Sequence, residues 1–194
     1  MSEESKATFL RQSGWMSIAT ALGGITSYAV HMFAKDMPDS EYGAFTTMIQ
    51  LLNLIAIPAI GLQAVFAVKA AKGKTKEDDL RMVREQIGIT IAVITISLIG
   101  FGGIYLYGEN MVSAFKLPSI QVLAITLSAG IVALLLPMAY GVLQGKQRFL
   151  WLGWAMLSLG VVRLATLFGL FRFHNTSLTN GMIAVWAGYA FAFV

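Results

Sequence analysis

The amino-acid sequence predicts an all-α integral membrane protein, a polytopic bundle of about six helices seated in a lipid bilayer. Three observations carry that prediction. Of the 194 residues, 57% are hydrophobic and only 12% are charged, with a mean hydropathy of +0.70, whereas a soluble domain carries about 25% charged residues to cover its surface. The apolar residues come in blocks of about 20, the length that crosses a hydrocarbon core of about 30 Å. The basic residues are also shared unevenly between the two sides that such blocks define.

Five full spans and a sixth, partial one follow in order, at about residues 14–34, 43–68, 87–107, 120–143, 150–171 and 181–194. The segment before the first contains Glu3, Glu4 and Lys6, unlike the short basic start of a cleaved signal, so the first block is read as a retained span. Between the first and second spans stand Asp36, Pro38, Asp39 and Glu41, turn-formers and charges that stop a buried helix. The longest connection is 69–86, where Lys72, Gly73 and Lys74 precede the acidic run Glu77, Asp78 and Asp79. Its second half, 78–86, suits a short interfacial helix leading into the third span. Pro58 in the second span and Pro137 in the fourth each remove a backbone donor and favour a kink. The sixth block, at about 21 Å of helix, falls short of a crossing. A terminal carboxylate in hydrocarbon is costly, so the chain is expected to be the N-terminal part of a longer protein whose C-terminal lobe is missing.

Orientation follows from the cations. With a cytoplasmic N-terminus, the inner segments hold ten basic residues (Lys6, Arg11, Lys69, Lys72, Lys74, Lys76, Arg81, Arg84, Lys146 and Arg148) and the outer ones three (Lys35, Lys116 and Arg172). That asymmetry obeys the positive-inside rule. It also accounts for the net charge of +4 without nucleic acid.

The chemistry the chain lacks narrows its function. With no cysteine there is no disulfide framework, thiolate metal site or cysteine nucleophile. His31 and His174 stand far apart and suggest no metal. No phosphate-cradling Gly-rich loop with a Lys-Ser/Thr ending appears, no His-Glu-x-x-His helix, and no carboxylate pair inside a span. The reading is a protein that is not an enzyme and needs no cofactor.

Arg163 is the informative residue. It is the one basic residue inside a span, about 20 Å from the cytoplasmic end of its helix, where a cation costs roughly 2.5–3.5 kcal/mol on insertion scales. Its helical face carries Gly153, Met156, Gly160, Thr166 and Leu167, a surface for close helix contact or a cavity rather than for lipid. Two readings stay open: an anion contact in a polar pathway, or a structural arginine that snorkels or bonds to backbone carbonyls. In the first span Ser17, Thr20, Gly24, Ser27 and His31 share one stripe, either a packing face or a polar cavity wall. Thr46, Gln50 and Asn53 share a face of the second span. The candidate substrate-binding residues are therefore Arg163, Gln50, Asn53, Ser17 and Thr20, while His31, close to the outer interface, is either a solvated interfacial residue or a group for proton coupling. Gly141 and Gly145 stand four apart, suiting either close packing or a helix cap.

Several short patterns resemble a known family. Glu41-Tyr42-Gly43-Ala44-Phe45 leads into the second span; Pro58-Ala59-Ile60-Gly61-Leu62-Gln63 continues it to the basic exit at Val68-Lys69; Gly141-x-x-Gln144-Gly145-x-x-Arg148-Phe149 joins the fourth and fifth. Together they are similar to the N-terminal part of polysaccharide flippases of the multidrug/oligosaccharidyl-lipid/polysaccharide exporter superfamily. The resemblance implies one six-helix lobe of a two-lobed MATE-like exporter in the bacterial cytoplasmic (inner) membrane. The implied function is to flip a polyprenyl-diphosphate-linked oligosaccharide for surface polysaccharide synthesis. The implied partners are the lipid-linked sugar, membrane lipids, and glycosyltransferases or a polymerase of the same pathway. Arg163 fits a basic residue often seen in that family's fifth helix. The alternatives are a cation-coupled multidrug exporter of the same superfamily, which calls for a membrane-embedded carboxylate, a polytopic enzyme of cell-envelope lipid synthesis, which calls for clustered His, Asp or Glu, and a non-catalytic membrane scaffold.

Overall fold

The computed structural model describes residues 3–193. Met1 and Val194, the last residue of the sixth predicted span, lie outside them, as does the side chain of Lys6, counted above with the inner cations. The described residues form six helices: α1 (Glu3–Ala34), α2 (Asp39–Lys72), α3 (Lys76–Ala114), α4 (Ile120–Gly145), α5 (Phe149–Phe173) and α6 (Leu178–Phe193). Four of them, α2 to α5, are long and apolar enough to cross a membrane. The first, α1, has the length at 32 residues, but its serines, threonines and glycines dilute its apolar character. The sixth, α6, is apolar but only 16 residues long.

The predicted connection 69–86 is corrected. Only residues 73–75 separate α2 from α3, and the interfacial segment is the first part of a continuous 39-residue α3. The cause is local. Thr75 Oγ1 accepts from Asp78 N at 3.1 Å, and Asp78 Oδ2 accepts from Thr75 N at 3.1 Å, a reciprocal cap that starts a helix at once. Glu77, Asp78 and Asp79 fill the first turn, where negative charge offsets the positive end of the helix dipole. The expected interfacial helix is there, but it begins at Lys76 and runs without a break into the third span.

The two most extensive helix contacts join helices that are not neighbours in sequence. α1 packs chiefly on α5 and α2 chiefly on α4, while α6 lies between α5 and α4, and α3 leans on α4 from outside. Glycines make the close approaches possible. A Cβ on Gly160 would stand 2.9 Å from Gly23 O across the α1–α5 seam, and one on Gly153 would stand 3.2 Å from Ala19 Cβ. A Cβ on Gly145 would stand 2.7 Å from Ala70 Cβ, and one on Gly141 would stand 3.1 Å from Ala67 N, across the α2–α4 seam. Thus Gly141 and Gly145 form a packing seam, and Gly153 and Gly160 admit a neighbouring helix rather than water.

One buried cluster joins Val30, Met37, Phe45, Met48, Leu178 and Met182 at the end where α1 turns into α2. A second gathers Leu136, Tyr140, Leu152 and Ala192 toward the opposite end. The exterior is oily: on α3, Ile96, Ile99 and Leu106 are 68%, 71% and 71% exposed. Such a surface suits lipid as solvent.

Candidate functional site

Arg163 sits at the contact between α5 and α6. It is 8% exposed and belongs to the buried face of α5 with Leu152, Gly160 and Leu167. Its guanidinium carbon lies 5.2 Å from the centroid of the Tyr189 ring on α6, within cation–π range. Gly188 brings α6 that close: a Cβ there would stand 2.7 Å from Leu159 O and 3.0 Å from Arg163 Cβ. Arg163 Nε is buried without a hydrogen-bond partner. Among the described residues no carboxylate forms an ion pair with Arg163. The side chain thus holds a positive charge in the bundle interior, with an aromatic face as its recorded neighbour and one N–H left over.

The other candidates are not gathered around it. Ser17 and Thr20 are exposed on α1, and their hydroxyls donate back to Ser13 O at 3.1 Å and Met16 O at 2.8 Å. Thr20 also touches α5, 3.6 Å from Met156 Sδ, but Met156 stands about 10 Å along the helix from Arg163. Gln50 and Asn53 are exposed on α2, off the stripe of Phe45, Met48, Leu52 and Ala59 that packs inward. His31 is half-buried among rings, 6.4 Å from Tyr42 and 6.2 Å from Phe45. The five candidates therefore do not converge on one site within this bundle: one is interior and four are on outer faces of α1 and α2.

Several contacts between helices escaped sequence reasoning. Tyr189, the partner of Arg163, lies in a helix read mainly for its length. The only signal for it is Gly188 beside an aromatic residue. Glu41 Oε2 accepts from Leu178 N at 2.5 Å, so the acidic residue of the Glu41-Tyr42-Gly43 pattern caps α6 and supports its dipole. Gln63 Nε2 donates to Gln144 Oε1 at 3.1 Å, which joins the two glutamines of the other patterns across the α2–α4 seam. These motifs hold helices to one another. Among the described residues no group of three or more His, Asp or Glu is placed to hold a metal. No family of known proteins matches the chain, and no curated protein or solved structure matches it.

Proposed function

We propose that this chain is the N-terminal lobe of a MATE-like membrane transporter that flips a polyprenyl-diphosphate-linked oligosaccharide across the bacterial cytoplasmic membrane, with its N-terminus inside. The observation that supports this reading is Arg163: a buried cation with no carboxylate partner among the described residues and with an Nε–H left unpaired. An ion pair would have lowered the cost of burying it. A cation left without one is suited to a mobile anion, and a guanidinium matches the geometry of phosphate. The substrate has an anionic head that needs such a contact and an apolar tail that stays in lipid. Because α6 seals Arg163 in the arrangement described, delivery of the head requires α6 to move from α5, a step that alternating access of one lobe against another supplies.

The cation-coupled exporter is less well supported. It needs a carboxylate in the interior, and Asp36, Asp39, Glu77, Asp78, Asp79 and Glu109 are exposed while Glu41 and Glu85 are half-buried. Glu41, Asp79 and Glu85 are already engaged at helix ends. Deleting the gene should trap lipid-linked sugar units on the inner leaflet, and the full-length protein should release them. Normal surface polysaccharide in a deletion strain with no second flippase would refute the proposal.

A further inference from the structure

The hairpin where α2 passes into α3 holds a pocket of about 370 Å³, lined wholly by the end of α2, the start of α3 and the turn between them. Both legs of the hairpin rest on α4: Phe66 and Ala70 of α2, Met82 of α3, and Leu135 and Met138 of α4 form one buried cluster. Met82, 6% exposed, and Val68 give the pocket an apolar floor. Its wall is charged, with Lys69, Lys72 and Arg81 against Asp78 and Glu85. These charges do not cancel evenly. Glu85 pairs with Lys69, whose Nζ also lies 5.9 Å from the centroid of the Phe66 ring. Asp78 Oδ2 accepts from Lys74 N and Thr75 N, both at 3.1 Å, so that carboxylate is spent on the start of α3. Arg81 Nε stays 3.6 Å from Glu85 Oε1, beyond hydrogen-bond length. Lys72 forms no ion pair among the described residues. Two cations from two helices are thus left to one pocket.

We propose that this pocket binds the headgroup of one anionic phospholipid, its phosphate held by Lys72 and Arg81 and its glycerol end over Val68 and Met82. The level is right. The apolar blocks of the sequence end at 68 and resume at 87, so Lys72 and Arg81 stand about 6 and 9 Å beyond them along their helices. That is the level of a headgroup layer about 5–8 Å deep. The chemistry is right as well. A guanidinium offers a phosphate two parallel N–H donors and a lysine adds a mobile point charge, and cations at this level draw anionic lipid. An apolar floor beneath two cations suits a lipid, whereas a free phosphate has no use for it. The inference requires only that the bundle sits in a bilayer, and it stands whatever the cargo.

The test counts retained lipid. The full-length protein in detergent is mixed with equal amounts of phosphatidylglycerol and phosphatidylcholine, immobilised and washed, and the lipid left on each chain is measured by mass spectrometry. Lys72→Gln combined with Arg81→Gln should retain about one phosphatidylglycerol fewer per chain than the wild type, with phosphatidylcholine unchanged. Lys76→Gln combined with Arg84→Gln removes the same charge from exposed positions of α3 outside the pocket and should retain the wild-type amount. An equal loss in both pairs would overturn the proposal, since it would mean a diffuse basic surface, and so would no loss in either. Washing the wild type with inorganic phosphate should release no more phosphatidylglycerol than a chloride wash of equal ionic strength. Extra release would also overturn the proposal, by marking a site for a soluble anion. Should the pocket pair fail to fold, Lys72→Gln alone, a change at an exposed side chain, decides: loss of about half of that lipid or more is expected, and full retention would overturn the proposal.

Discussion

The basic end of the bundle and the α5–α6 contact treat positive charge in opposite ways. At the basic end Lys69 pairs with Glu85, Arg81 lies 3.6 Å from the same carboxylate, and Lys146 lies 3.0 Å from Asp79. Those side chains are all reached by water, from about a third exposed for Glu85 and Lys146 to mostly exposed for Arg81, and each such pair contributes about 0–1 kcal/mol. At the α5–α6 contact Arg163 is buried, and among the described residues no carboxylate pairs with it. Three cations are paired where water reaches them anyway, while among the described residues the buried Arg163 has no carboxylate partner. Stability alone would favour the reverse, or an apolar residue at position 163. On the proposed function, the difference makes Arg163 the position whose residue a substrate contact would explain.

The comparison can be broken most sharply by exchanging its two ends. Arg163→Ala should lower flipping by about tenfold or more, the worth of one charged hydrogen bond of about 1.5–3 kcal/mol. Lys146→Ala should leave flipping unchanged. Both should reach the membrane at wild-type levels in an immunoblot; loss of the Arg163→Ala protein would mark that arginine as structural. Next in size is the helix seam that holds the basic end together. Gly145→Leu places a side chain against Ala70 and the Ala67 carbonyl, and such overpacking should cost about 1–3 kcal/mol, read as a lower unfolding temperature in detergent. Gly24→Leu, whose Cβ position is open, should leave that temperature unchanged. A smaller loss, about 0.6 kcal/mol, is expected for Gln63→Leu, with Gln144→Leu adding little to it in a double-mutant cycle. The smallest change is the effect of Lys146→Ala on stability, within about 1 kcal/mol.

How far the sequence could be read varies with the kind of signal. Apolar blocks bounded by turn residues placed α4 and α5 well: 120–143 and 150–171 were expected, and Ile120–Gly145 and Phe149–Phe173 are observed. The start of α3 was read as a connection with a short interfacial helix at 78–86 rather than as part of the third span, although the Thr75–Asp78 spacing is itself a capping signature. Arg163 stood out from its depth alone, since the cost of a buried cation is a local property of the span. Its neighbour Tyr189 did not, because helical periodicity gives a face and not the helix that lies across it. The same limit hid the bond from Glu41 to Leu178, 137 residues away. It also left open whether the stripes of α1 and α2 face inward; Ser17, Thr20, Gly24, Gln50 and Asn53 are exposed, and Ser27, His31 and Thr46 are half-buried.

The claim that Arg163 acts through its charge has a direct test, because a chain without cysteine offers no background for thiol chemistry. With any cysteines outside these 194 residues removed, Arg163→Cys should lose the proposed flipping while staying in the membrane. Treatment with aminoethyl methanethiosulfonate, which restores a cation on the new side chain, should recover a substantial part of the flux. Treatment with the neutral methyl reagent should not. Unchanged flux in Arg163→Cys, or equal recovery with both reagents, would contradict the account.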